Sequence, residues 1–257
     1  MTPEDLFAVA LLVVIGLVFG GAFAMFLFIR RHLRLRGITE QTYAEQEAIA
    51  RQFSRVTFLP YHPIQARRPS RWLAIRTRDM HAVQLALGLN NPRPCSWTEG
   101  LFASQKLFIA PPVHGWTFVF GAGLPIPDED VDVFYRFLRE LSRKLGHVQF
   151  FQADSILQHH TWAQLESGRV IRAYAWAGTT LWNQGVKTKA EIALGMNCFN
   201  YGETAGGDDW SVADHLIANV EKVPLLAQRW SFDPAEIDGR MLAQQQGIVG
   251  SVCSEWT

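Results

Sequence analysis

The stretch HTWAQLESGRVIRAYAW, His160 to Trp176, decides how the folded part of this 257-residue chain is read. Two runs rich in aromatic and β-branched residues, His160 to Glu166 and Arg169 to Trp176, are separated only by Ser167-Gly168. Such runs across a two-residue loop form a β-hairpin. A loop of that length sets Glu166 opposite Arg169, Leu165 opposite Val170 and Trp162 opposite Ala173. The second run is apolar on both alternating faces, with Val170, Tyr174 and Trp176 on one and Ile171, Ala173 and Ala175 on the other. A strand of this kind is buried on both sides and is expected at the centre of a sheet. Arg172 then lies in a core, where a guanidinium requires partners.

Upstream, Pro127, Asp128, Glu129 and Asp130 open a helix whose stripe is Val131, Phe134, Leu138, Leu141 and Leu145, and Arg143, Lys144 and Gly146 close it. It leads into a strand from His147 to Gln152. Lys106 to Ala110 and Gly115 to Gly121 read as a hairpin around Pro111 to His114, with Trp116, Phe118 and Phe120 alternating. Before it, the apolar run Trp72 to Ile75 precedes a helix capped by Thr77 or Asp79, with Met80, Val83, Leu85 and Leu87 as apolar positions and Gly88 and Asn90-Asn91-Pro92 as its stop. Ser96 with Glu99 has capping-box spacing for a short helix to Ser104.

Downstream, Thr180 to Gly185 reads as a turn or edge segment. Lys187 to Leu194 reads as a short helix with Ala190, Ile192, Ala193 and Leu194 apolar. The acidic, Gly-rich stretch Tyr201 to Asp209 reads as a loop. Ser211 opens a helix to about Val223, and Pro224 starts another through Trp230. Leu242 to Thr257 is weakly patterned and reads as a tail. Strands and helices mix without regular alternation, which gives an α+β fold with a mixed or antiparallel sheet packed by helices. The expected organisation is an amino-terminal tail and anchor (1–29), a basic neck (30–69), the globular domain (70–241) and the tail (242–257).

The anchor is Leu6 to Ile29, twenty-four residues without a charge, followed by Arg30, Arg31, His32, Arg34 and Arg36. As a helix it is about 36 Å long, enough to cross a hydrocarbon core of about 30 Å. Ala22-Phe23-Ala24 resembles a signal-peptide cleavage site. Against that, Glu4 and Asp5 replace the basic residues such a peptide needs, and the apolar run continues past the site. The expectation is a single transmembrane helix with the amino terminus outside, the large domain in the cytoplasm and Arg30, Arg31, Arg34 and Arg36 at the membrane surface. A bacterial inner membrane is the expected location. Gly16 and Gly20 form a GxxxG that allows helix–helix contact and a homodimer.

The formal charge of zero averages two opposed regions. Arg30 to Arg78 holds eleven Arg, no Lys and three acids, a net +8, whereas the chain from Asp79 onward nets −6. The basic part suits an anionic leaflet. Without a helix-turn-helix or an aromatic RNA motif, nucleic acid is not an expected partner. Cys95, Cys198 and Cys253 have neither CxxC nor zinc-type spacing.

No GxSxG, P-loop, GxGxxG, HExxH or kinase pattern occurs. His159, His160 and Asp154, with His147 upstream, are candidate catalytic or metal-binding residues. Neighbours on a strand face opposite ways, so no metal site and no cofactor are expected from them. Asp208, Asp209 and Glu203 lack EF-hand spacing. The aromatic concentration of Tyr174, Trp176 and Trp182 around Arg172 and Asn183 reads either as a ligand pocket for a carboxylate, phosphate or peptide or as a tryptophan-rich core with an internally paired Arg. Two functions follow: a membrane-anchored module that binds a protein or ligand, or a membrane-tethered hydrolase using His159 or His160 with Asp154.

Overall fold

The structure, a computed structural model, describes residues 69–103, 106–203, 210–237 and 245–252, with no side-chain detail for 210–218. All lie in the unit Leu59–Thr257, one of two into which the chain divides. The expected span, the arginines of the neck and the Gly16/Gly20 contact lie outside the described residues. Among the described residues no helix is long and apolar enough to cross a membrane.

The strands are β1 (Arg71–Ile75), β2 (Asn90–Cys95), β3 (Leu107–Ile109), β4 (Thr117–Phe120), β5 (His147–Asp154), β6 (His159–Glu166), β7 (Arg169–Trp176), β8 (Thr180–Gln184) and β9 (Gly247–Ser251). The helices are α1 (Met80–Leu87), α2 (Trp97–Leu101), α3 (Val131–Leu145), α4 (Lys189–Ala193) and α5 (Trp210–Trp230). Among the described residues nine strands form one sheet, ordered β2-β9-β3-β4-β1-β5-β6-β7-β8. Every neighbouring pair is antiparallel, so the fold is α+β with an antiparallel sheet.

Alternation of side chains builds a core on each face. Leu73, Ile75, Val119, Val148, Phe150, Leu165 and Trp182 pack under α1 and α3. Trp72, Ala74, Phe118, Phe120, Phe151, Trp162, Tyr174 and Trp176 pack on the other face, against residues of α2 and α5. The caps follow the sequence. Asp79 Oδ1 accepts from the amides of His81 and Ala82, Asp130 Oδ1 from those of Asp132 and Val133, and Gly88 closes α1 in the left-handed region.

Ser167 and Gly168 have φ of 48° and 83°, the mirror-image turn that matches strand twist, and the hairpin forms as expected at its tip. Leu165 pairs with Val170 and Glu166 with Arg169. One step further the register shifts, because Gln164 pairs with Arg172 and Ile171 is left over as a β-bulge. Trp162 therefore opposes Tyr174, not Ala173. Val170 moves to the face of Ala173 and Ala175, and Ile171 is 45% exposed. Nor is β7 central: it lies next to the edge strand β8, and β1 holds the middle position.

Other expectations also change. Asn90 to Cys95 is an edge strand, where Pro92 and Pro94 are tolerated because no further strand needs their missing N–H groups. The residues 247–251, read as tail, form β9 between β2 and β3. Pro224 sits inside a continuous α5, where Val220, Val223, Leu226 and Ala227 are buried and hold both halves of the helix to the protein. Leu85 and Ile192 point outward rather than into a core.

β9 is glycine-rich because its neighbours leave no room. A Cβ at Gly247 would strike the carbonyl of Ile109 and the ring of Phe108. Gly247→Ala is expected to cost about 1–3 kcal/mol as overpacking; an unchanged urea midpoint would show that β9 does not pack as described.

Candidate functional site

The bulge at Ile171 sets Arg172 on the face of α4 and α5, where its side chain is 1% exposed. The sequence reading gave it no anion, and the structure supplies Glu191 from α4. Arg172 Nε donates to Glu191 Oε1 at 2.8 Å. The indole of Trp162 donates to the same oxygen at 2.8 Å, and the amide of Thr188 donates to Oε2 at 2.7 Å. Thr188 Oγ1 in turn accepts from the Glu191 amide, which completes a capping box at the start of α4. One buried carboxylate thus caps a helix, neutralises a guanidinium and anchors an indole.

Both terminal guanidinium nitrogens also have partners. Nη1 donates to the carbonyls of Ala173 (2.8 Å) and Gln184 (3.1 Å) and to Asn183 Oδ1 (2.9 Å), while Nη2 lies 3.1 Å from Cys198 Sγ. Burial pushes the Cys198 thiol up to about 11, although Arg172 and Lys187 act to lower it. Tyr174 Oη accepts from the amide of Phe199 at 3.0 Å, and burial pushes its phenol up to about 12.

Of the residues expected to form a pocket, Arg172, Tyr174 and Asn183 come together in this network. Trp176 is on the same face, tilted against Phe199 with ring centroids 4.9 Å apart. Trp182 is on the opposite face, edge-on to Phe134 and Tyr135. Within this group Arg172 is internally paired, with Glu191 as its anion.

The catalytic candidates go to three places. Asp154 Oδ1 accepts from the amides of Ile156 and Leu157 and closes the β5–β6 turn. His159 Nδ1 lies 3.1 Å from Asp128 Oδ2 on the α3 side. Burial acts to raise the Asp128 carboxyl, but hydrogen bonds from His159 and Gln152 and the charge of His159 outweigh it and leave the group below its ordinary value. His160 points to the other face, between Trp162 and Tyr174. His147 lies at the far end of β5 from Asp154, about 23 Å away at strand rise. Glu203 accepts from the amide and side chain of Asn200 and closes a turn; Asp208 and Asp209 lie outside the described residues.

His160 belongs to a second buried chain. Asn219 Oδ1 accepts from the Asn197 amide, and Asn219 Nδ2 donates to Asn197 O and faces His160 Nε2 at 3.2 Å. The network therefore assigns the ring proton to Nδ1, 3.2 Å from Gln158 O, and the imidazole is neutral. Burial lowers its pKa to about 4.

Sequence reasoning missed Glu191, Asn219 and Asp128 as partners. Thr188 with Glu191 three residues later is a capping-box spacing and marked Glu191; nothing local marked Asn219. No family model, curated protein or solved structure matches this chain.

Two outcomes follow. Glu191→Gln leaves a buried guanidinium without its anion and is expected to cost about 3–5 kcal/mol, with a positive coupling to Arg172→Met in a double-mutant cycle; additive losses in denaturation midpoints would contradict the pairing. For His160, the folded pKa lies below the unfolded 6.5, so its contribution is complete above pH 6.5 and is lost as pH falls toward about 4. That loss amounts to about 3 kcal/mol, and His160→Gln should flatten the stability profile across this window by a similar amount; coincident slopes for the two proteins would refute it.

Proposed function

We propose that this chain is a membrane-anchored binding module, held by Leu6 to Ile29 with its α+β domain in the cytoplasm, and that the domain recognises a protein partner rather than carrying out a reaction. The supporting observation is the placement of exposed aliphatic side chains around the Arg172–Glu191 network. Ile171 precedes Arg172 and is 45% exposed; Val186 follows Gly185, whose carbonyl lies 3.4 Å from Arg172 Nη1, and is 87% exposed; Ile192 follows Glu191 and is 64% exposed. Each is the chain neighbour of a residue fixed by the buried ion pair, so three apolar side chains are presented from a rigid base. Preorganised apolar anchors over a bonded support are what protein recognition uses.

On this reading Arg172, Tyr174 and Asn183 support the surface from beneath and do not touch the partner. The hydrolase alternative needs His159 or His160 to converge with Asp154, and the three side chains have separate partners. A photoreactive residue placed at Val186 or Ile192 of the full chain in its native membrane is expected to give one adduct of discrete mass, absent when the probe replaces exposed Lys144. Adducts of the same mass from Lys144, or none from either aliphatic position, would overturn the proposal.

A further inference from the structure

Two sets of exposed aliphatic side chains lie apart on the sheet, and their surroundings differ in charge. The first is the proposed recognition surface of Ile171, Val186 and Ile192, near the start of β7, just past the end of β8 and on α4. The second is the turn between β5 and β6, where Ile156 is 90% exposed and Leu157 57%. This turn is held by hydrogen bonds. Asp154 Oδ1 accepts from Ile156 N at 2.9 Å and from Leu157 N at 3.0 Å, and Gln158 Nε2 donates to Ser155 O at 2.6 Å.

The turn has anions at its base. The Asp154 carboxylate is itself the cap, and His159, which pairs with Asp154 in the ladder, faces a second carboxylate, Asp128. The Val186 surface is basic instead. From Val170 to Asn200 the sequence has three cations, Arg172, Lys187 and Lys189, and one acid, Glu191. Arg172 and Glu191 neutralise each other in the core, which leaves Lys187 and Lys189. Lys187 Nζ donates to Met196 O, and among the described residues neither lysine is in a salt bridge. This basic strip stands in a region that nets −6 from Asp79 onward. The two surfaces are complementary, aliphatic to aliphatic and ammonium to carboxylate.

They cannot meet within one chain. The ladder sets Gln184 level with Ala173, Ala163 and Phe150, short of Asp154 on β5, and β8 runs on from Gln184 away from the turn. At about 3.3 Å per residue the separation along the strands exceeds about 13 Å, and rigid elements hold both sets.

We propose that the Ile156–Leu157 turn of one chain docks on the Ile171, Val186 and Ile192 surface of a second copy, with the acids of the turn toward Lys187 and Lys189. This rests on the reading of that surface as a recognition site and names its partner. Because the two surfaces differ, the contact is heterologous. Each docked chain still offers one turn and one surface, so association continues as a file or closes as a ring. An anionic leaflet would offer the lysines the same charge, but it would repel the acidic remainder of the domain.

Cross-linking of the full chain in its native membrane tests the contact. A photoreactive residue at Val186 is expected to give an adduct of twice the chain mass whose joined peptide contains Ile156 or Leu157. Ile156→Ser/Leu157→Ser should cut its yield at least about tenfold while β5 and β6 keep their amide-exchange protection. Complementation separates docking from damage to the fold. A chain with the probe and the serine turn, coexpressed with a chain of intact turn carrying Val186→Asp/Ile192→Asp, should restore the adduct and stop at two chains. A double-mass adduct joined elsewhere, a yield indifferent to the serine pair, or a mixed pair that gives no adduct overturns the proposal. An adduct with lipid or with a different protein also overturns it, the latter leaving the recognition reading in place; the absence of any Val186 or Ile192 adduct ends both.

Discussion

Glu191 is the constraint on which the domain turns. A carboxylate at zero exposure is unaffordable unless its oxygens are filled, and here donors arrive from β6, β7 and its own helix cap. Replacing such a pair by well-packed apolar residues often stabilises a protein, so the gain from Arg172–Glu191 is more in specificity than in net free energy. The guanidinium reaches on to Asn183 and to the carbonyl of Gln184, which fixes β8 against β7 at a single register. The bulge at Ile171 is part of the same arrangement. Without it Arg172 would oppose Ala163 and share the face that packs under α3, away from Glu191.

A second line of polar groups continues the same logic along that face. The segment Gly195–Asn200 is irregular yet lies against the core, and α4 supplies carbonyls only for the amides of Gly195 and Met196, so other backbone groups need partners from elsewhere. Side chains provide them: Lys222 for Gly195 O, Lys187 for Met196 O, Asn219 for both groups of Asn197, Tyr174 for Phe199 N and Thr180 for Phe199 O. Five side chains, from α5, β7, β8 and the loop before α4, thereby converge on one loop, and the neutral imidazole of His160 closes the line by accepting from Asn219. These contacts explain why a face so rich in Trp, Tyr and His resembles a binding site in sequence while serving as an interior.

Where local chemistry determined the outcome, the sequence was readable. Asp79, Ser96 and Asp130 are caps whose carboxylate or hydroxyl meets an amide two or three residues on, and Ser167-Gly168 is a turn with a single good geometry. What escaped was non-local. The bulge was invisible because Val170 and Ile171 are both apolar, so alternation alone does not reveal which one is left over. β9 escaped because GIVGS owes its place to the space left beside Phe108 and Ile109 rather than to its own pattern. The aromatic cluster was recognised, but Trp182 does not join it, since that residue pairs with Ala175 and shares its face, opposite Tyr174 and Trp176. The buried Arg172 was anticipated with its need for partners; the partner lay nineteen residues away on a helix whose apolar positions drew attention from its acid.

The two sheet edges bear on the binding role proposed for this domain. An exposed edge strand recruits further strands unless something blocks it. At β2 the block is covalent, since Pro92 and Pro94 have no N–H to offer. At β8 it is a phenol: Tyr201 Oη accepts from Asn183 N at 2.8 Å and donates to Asn183 O at 3.4 Å, occupying both backbone groups that an added strand would use there. With main-chain pairing discouraged at both ends, the proposed recognition rests on side chains. The aliphatic groups beside the Arg172 network are then favoured over the edges as the contact, because they are already ordered and association need not bear the cost of fixing them.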